Sequence, residues 1–172
     1  EDQATLNQFL EDFSAISGRT LLVHGGGRRA TQIAASLGIE SRMVNGRRVT
    51  DADMLQVVTM VYGGLVNKNL VARLQSKDVN ALGLTGAGMD VIHSHKRPVK
   101  DVDYGFVGDV ERVDGSRLST LINAGITPVM APLTNDGKGN ILNTNADTIA
   151  GETAKALADY YDVTLIYSFE KK

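Results

Sequence analysis

The sequence predicts an α/β fold, a parallel or mostly parallel sheet with helices on both faces and one β-hairpin insertion. Three observations carry this. Short apolar runs rich in strand formers ("TLLVH", "NALGLTG", "GITPVMAPL", "VTLIYSF") alternate with segments of helical period. The first run leads directly into a glycine turn and a helix, the opening of a βα unit. No repeat, low-complexity segment or linker divides the 172 residues, so a single domain is expected.

Leu6, Phe9, Leu10, Phe13 and Ile16 recur at helical spacing, predicting an amphipathic helix over residues 3–16 that Gly18 ends. After the strand "TLLVH", residues 28–37 read as a helix stopped by Gly38. "SRMVNGRRVT" places Asn-Gly between short alternating runs, a strong hairpin signal. Thr50, Asp51 and Asp53 open a long helix running to about residue 77. Gly63-Gly64 lies inside it, either as a kink or helix junction or as a close crossing with a partner element. "NALGLTG" is the next strand, and "VIHSHKRPV" with "YGFVGDVERV" forms the hairpin excursion. Residues 115–124 are helical, "GITPVMAPL" is a buried strand, and "TNDGKGNILN" is a glycine-rich turn with a short strand. "NADTIAGETAKALADYY" is the last helix and "VTLIYSF" the final buried strand.

Composition narrows the function classes. A net charge of −2 gives no electrostatic drive toward nucleic acid or an anionic membrane. With no cysteine there is no disulfide, thiolate metal site or thiol nucleophile, which fits a reducing cytoplasm. No apolar run approaches the ~20 residues of a membrane span. The chain opens without methionine inside a helical period and closes after an apolar run, so both ends read as cut.

Ligands of doubly wound sheets sit at the carboxyl ends of strands. Three loops have the composition for this: "HGGGRR", "LTGAGMD" and "NILNTNAD". Gly25, Gly26 and Gly27 ahead of a helix N-terminus form a bare run of backbone N–H groups, an anion cradle to which Arg28 and Arg29 add positive charge. A tight turn alone also accounts for them. A hydrolase oxyanion hole needs a G-x-S-x-G elbow, which is absent. Asn143 and Asn145 can bind a polar substrate, and Asp147 at a helix start can orient lysines or hold Mg²⁺; a plain helix cap is the alternative. Arg48 has the fork geometry for a carboxylate, or is simply solvated. His24, His93 and His95 lack metal-ligand spacing with other candidates, and no metal site is expected; His93 and His95 would share one strand face. With no nucleophile evident, phosphoryl transfer, which rests on positioning and electrostatics, suits this inventory best.

"VHGGG", "NGRRVTD", "VNKNLV", "NALGLTG", "GFVGDV" and "ILNTNADTIAGETAKAL", in this order, resemble the N-acetyl-L-glutamate kinases of the amino acid kinase family, over nearly the whole chain. The resemblance implies a three-layer α/β/α sandwich with a mainly parallel central sheet. It implies ATP-dependent phosphorylation of the side-chain carboxylate of an N-acyl-L-glutamate, with Mg²⁺, in arginine biosynthesis. Carried over by position, Gly26 and Gly27, with Gly25 adjoining, offer N–H groups to the reacting carboxylate and phosphoryl, so these glycines should be bare, above all Gly26. Arg48 pairs with the α-carboxylate, Asn143 binds the acylated amino acid together with Asn145, and Asp147 organises catalytic lysines. The family's Lys-x-Gly-Gly strand precedes this chain and most of its nucleotide site follows, so residues 1–172 correspond to the acyl-amino-acid-binding portion and the bare polypeptide is expected to be inactive. Lys171 and Lys172 fall too early for the second catalytic lysine. Whether the acyl group is acetyl or succinyl is open. The helix at 51–75 matches a region used for dimer contacts, so a homodimer is expected, in the cytoplasm. A catalytically inert binder or sensor of an acylated amino acid is the other reading.

Overall fold

The structure, a computed structural model, describes residues 3–168. Three parallel strands form its centre in the order β1 (Leu22–Val23), β7 (Thr127–Met130) and β4 (Ala81–Leu84). Strand period 2 divides their side chains between two faces. Leu22, Ala81 and Val129 pack against Leu10 of α1 (Gln3–Ser14) and Leu70 and Leu74 of α4 (Asn67–Gln75). Val23, Leu84 and Met130 pack on the other face with Leu118 and Ile122 of α5 (Gly115–Asn123) and Ile149 and Leu157 of α6 (Ala146–Leu157). This is the expected three-layer α/β/α arrangement around a mainly parallel central sheet.

A second, mixed sheet runs in the order β6-β5-β8-β9. The anticipated hairpin is its edge, β5 (Ile92–Lys96) antiparallel to β6 (Gly108–Val113), with a bulge between His93 and Ser94. β5 meets β8 (Leu133–Asn135) in parallel at His93 and Asn135, and β8 pairs antiparallel with β9 (Ile141–Asn143). His93 and His95 do share a face, since both approach the carboxylate of Glu111. The Asn-Gly signal forms a hairpin of β2 (Met43–Val44) and β3 (Arg47–Arg48), with φ of 50° at Asn45 and 73° at Gly46, as a type I′ turn requires.

Two expectations are corrected. The long helix from residue 51 is three segments: α3 (Ala52–Val58), a π-helix (Thr59–Val66) and α4. Asp51 caps it by accepting from Met54 N–H at 2.8 Å. Gly63-Gly64 falls within the π-helix, whose wider i→i+5 winding joins α3 to α4, the helix-junction alternative. The final strand does not form. Residues 163–168 run without regular structure, and Ile166 is 74% exposed, because these side chains pair with no neighbouring strand among the described residues. Phe169 and Lys171–Lys172 lie outside the described residues.

Candidate active site

The carboxyl end of β1 delivers His24 and the three glycines to the start of α2 (Gly27–Ser36). Ala30 N–H, bonded to Gly26 O at 2.9 Å, is the first to find its acceptor within the helix, so the N–H groups ahead of it face outward as an anion-favouring end. Opposite lies the β2–β3 hairpin, and from below comes the β9–α6 junction. Together they enclose a cavity of about 220 Å³ lined by Gly25–Gly27, Arg48, Tyr62 and Asn143–Ala146, among others.

The glycines are not bare for one reason. A Cβ at Gly26 would lie 2.9 Å from Cδ1 and 3.1 Å from Cε1 of the buried Tyr62, so the ring of the π-helix claims that space. At Gly27 the nearest atom would be Arg48 Nη2 at 3.8 Å, an ordinary contact, and at Gly25 nothing lies within 4 Å. Among the described protein atoms, only the Tyr62 ring bars a side chain from this loop, and it does so at Gly26.

Arg48 is 8% exposed, which removes the solvated-surface alternative. Its Nη2 donates to Gly27 O at 2.9 Å and Thr31 Oγ1 at 3.0 Å, and its Nη1 to Ser41 Oγ at 2.9 Å with Met54 Sδ 4.0 Å away. All of these partners are neutral, and no carboxylate pairs with it among the described residues. A buried guanidinium without a counter-charge is costly. An anion in the cavity would offset that cost.

Asn143 is held by two routes. Its backbone N–H donates to Phe106 O at 2.9 Å, and its Nδ2 donates to Thr50 Oγ1 at 2.9 Å, while the Thr50 hydroxyl donates to Arg48 O at 3.3 Å. That chain of donors fixes the amide orientation and leaves Oδ1 as the acceptor without a partner among the described residues. Asn145 is the N-cap of α6, accepting from Thr148 N–H at 2.9 Å, so the capping role belongs to it and not to Asp147. Asp147 sits in the exposed first turn of α6 and lines an adjoining groove, which shares Gly25, Gly26 and Ala146 with the cavity. The structure thus gathers Gly25–Gly27, Arg48, Asn143 and Asn145 into one cavity and sets Asp147 just past its edge. The "LTGAGMD" loop takes no part. Gly86 there is packed against Ile92 and Thr134, and Asp90 is tied to Arg112.

Thr50, Tyr62 and Val107 were not legible as site residues. Thr50 looked like a helix flank, and Tyr62 stood in an apolar helical run next to Gly63-Gly64. Val107 arrives through the β5–β6 connection, braced by Arg97 N–H donating to Val107 O at 2.8 Å. The same Arg97 holds Asp109 in a fork, with Nε 3.1 and 3.2 Å from its two oxygens, and this hydrogen bond lowers the Asp109 pKa below the usual carboxylate range. Asp90 is lowered likewise, chiefly by a hydrogen bond from Asn135. No cluster of three or more His, Asp or Glu side chains suited to a metal gathers among the described residues. No described helix is long and apolar enough to cross a membrane.

The sequence profile of the amino acid kinase family matches residues 1–159. The chain belongs to the amino acid kinase family. Within this family, an acetylglutamate kinase of Bacteroides fragilis is 74% identical over all 172 residues, and one of Parabacteroides distasonis is 66% identical over the same span. An acetylglutamate kinase of Methanopyrus kandleri is 45% identical over 86% of the chain. The chain spans 66% of the length of the B. fragilis relative. Among solved structures, a Streptococcus mutans protein superposes with a TM-score of 0.78 at 27% identity, covering 88% of this chain and 61% of its own. An N-acetylglutamate synthase of Neisseria gonorrhoeae, complexed with coenzyme A and N-acetyl-glutamate, superposes at 0.77 over 91% of this chain and 36% of its own; at 24% identity it supports the amino acid kinase fold alone.

Proposed function

We propose that the complete protein transfers the γ-phosphoryl group of ATP to the side-chain carboxylate of N-acetyl-L-glutamate or a related N-acyl-L-glutamate, in arginine biosynthesis in the cytoplasm. Residues 1–172 form the acyl-amino-acid-binding portion, and most of the nucleotide site belongs to the additional length seen in the relatives. The observation that carries this reading is Arg48, a buried guanidinium on the cavity wall with only neutral partners.

In this reading the α-carboxylate of the substrate neutralises Arg48, a charge-assisted pair in a water-poor pocket. The Oδ1 of Asn143 accepts the N–H of the acyl amide. The side-chain carboxylate then lies against the N–H groups at Gly25–Gly27 and the start of α2, where the helix end favours negative charge. Two anions must meet for the bond from carboxylate oxygen to the γ-phosphorus to form as its bond to the bridging oxygen breaks and ADP leaves, and backbone donors offset part of their repulsion without reorganising. Asp147, which lines the adjoining groove, would orient lysines that clamp the phosphoryl oxygens. Mg²⁺ accompanies ATP in this proposal, and among the described residues no cluster of three or more His, Asp or Glu is suited to hold it.

Relatives named as kinases at 66–74% identity favour the enzyme over an inert sensor. A homodimer through the 51–75 region is supported by Met60 (55% exposed) and Leu65 (40% exposed), apolar side chains displayed by the π-helix. The test is an assay of the complete gene product with ATP, N-acetyl-L-glutamate or N-succinyl-L-glutamate, and hydroxylamine to trap the acyl phosphate. Trapped hydroxamate is expected with one acyl-glutamate or both, and none from the 172-residue chain alone. Absence of product and of calorimetric binding with both acyl-glutamates would remove the reading.

A further inference from the structure

We infer that His24 is a positioning residue for the glycine loop, wired through a buried relay from Asn67. The inference rests on the proposed reading for its catalytic consequence, though not for its wiring. His24 is 8% exposed and Asn67 1% exposed, and neither belongs to the cavity lining around Arg48.

The relay can be read donor by donor. Asn67 Nδ2 lies 2.9 Å from Val129 O, a carbonyl that only accepts, so this end of the amide is the NH₂ group. Lys68 Nζ, a donor only, is 3.1 Å from Asn67 Oδ1, which assigns the other end in agreement. The same Nδ2 is 3.0 Å from His24 Nε2. Two donors cannot bond each other, so Nε2 carries no hydrogen and accepts. The neutral ring then bears its proton on Nδ1, which donates to Gly25 O at 2.6 Å.

That last bond has a geometric consequence. A trans peptide is planar, with its C=O and N–H antiparallel. Holding Gly25 O therefore holds the Gly26 N–H in the opposite direction. Because glycines have no Cβ to restrict them, the bond from His24 to Gly25 O is the hydrogen bond by which a described side chain holds this peptide. The backbone of His24 is itself fixed by its N–H donating to Met130 O at 3.1 Å, so the brake is anchored to the central sheet.

The fold makes room for this wiring. Gly83 of β4 lies directly beneath Asn67, and a Cβ there would lie 2.0 Å from Asn67 Oδ1 and 2.7 Å from Lys68 Nζ. Ala81, on the same face of β4, packs into the apolar layer with Leu70 and Leu74, so the bare position is specific to the place where the amide descends.

Two readouts test the inference. Long-range ¹H–¹⁵N spectra of the complete protein, selectively labelled at histidine, are expected to show His24 protonated at Nδ1 and bare at Nε2. The opposite tautomer overturns the inference whether or not the protein turns over an acyl-glutamate. The second readout is a pair of variants. In His24→Asn the amide nitrogen falls near the place of Nδ1 and keeps the donor to Gly25 O, so kcat stays within about threefold of the parent. In His24→Gln the amide falls near Nε2, meets Asn67 and leaves Gly25 O without a donor, so kcat drops about 10–100-fold while KM for the acyl-glutamate moves less than about threefold. Equal losses in both variants at unchanged melting temperature indicate plain packing and overturn the inference, as does full activity of His24→Gln. If the variants do not fold, the tautomer of the parent protein decides. If the parent phosphorylates no acyl-glutamate, the proposed function fails separately and the tautomer still decides the relay.

Discussion

Replacing Arg48 by Met should leave the protein about as stable and cost it its ligand. The two effects separate because of what Arg48 touches. Gly27 O, which loses the guanidinium, still accepts from Thr31 Oγ1 at 3.1 Å. Ser41 is half-buried and Thr31 exposed, so their hydroxyl oxygens accept from water in place of the guanidinium. Each lost neutral bond is worth about 1 kcal/mol and is largely replaced by solvent. Against this, removing a buried charge that has no counter-ion recovers a desolvation penalty of several kcal/mol. The unliganded Arg48→Met protein should therefore lie within about 1 kcal/mol of the parent in urea denaturation. A hydrogen bond to a charged partner is worth about 1.5–3 kcal/mol. Calorimetric affinity of the complete protein for an N-acyl-L-glutamate should accordingly fall about 10–150-fold, at 1.4 kcal/mol per tenfold. A stability loss of about 3 kcal/mol or more with affinity unchanged would refute the reasoning, because Arg48 would then be a structural strut.

Gly26→Ala should destabilise by about 1–3 kcal/mol, from overpacking against Tyr62, and most of that loss should vanish in the Tyr62→Leu background when both are measured by urea denaturation in a double-mutant cycle. Acidification should weaken the fold. The depressed carboxyls of Asp90 and Asp109 contribute stability that is fully present above the unfolded value near 3.9 and lost as pH falls through their lower folded values, since the unfolded chain there binds more protons. Asp109→Asn should flatten the fall of the urea midpoint between about pH 5 and 3; an unchanged slope would count against the Arg97 pairing. Met60→Asp with Leu65→Lys should convert a dimer of the complete protein to a monomer by sedimentation, and an unaltered dimer would place the interface elsewhere.

Elements whose cause is local were legible in the sequence. The Asn45-Gly46 turn needs two positive φ values in a row, and this pair supplies them. Asp51 and Asn145 cap helices because their short side chains reach the N–H three residues on. The strand alternation of Leu22-Val23 and Val129-Met130 became the two faces of the central sheet. What failed depended on partners distant in the chain. "VTLIYSF" has the composition of a strand, but a strand exists only against a neighbour, and residues 163–168 find none among the described residues. The site was half legible. Glycines, arginine and asparagines pointed to the polar cavity they line, whereas the steric reason for Gly26 lies 36 residues away in Tyr62. The hydrogen bonds of His24 were not legible, because they run to a carbonyl of β7 and an amide of α4. No spacing rule along the chain joins them.

The π-helix has a further consequence for how this chain can vary. At about 100° per residue, an ordinary α-helix would set positions 62 and 67 about 140° apart, so one ring and one amide could not both confront the same loop. Here Tyr62 and Val66 border Gly26, and Asn67 reaches His24. Looser winding brings the three into phase. The segment therefore acts as a count, and its length is as much a determinant of the pocket as any side chain in it. Substitutions on its outer side, at Met60 or Leu65, leave that count intact. A single-residue deletion between 59 and 66 would tighten the coil and turn either the ring or the amide away, disarming the glycine loop while every residue of the loop itself is still in place.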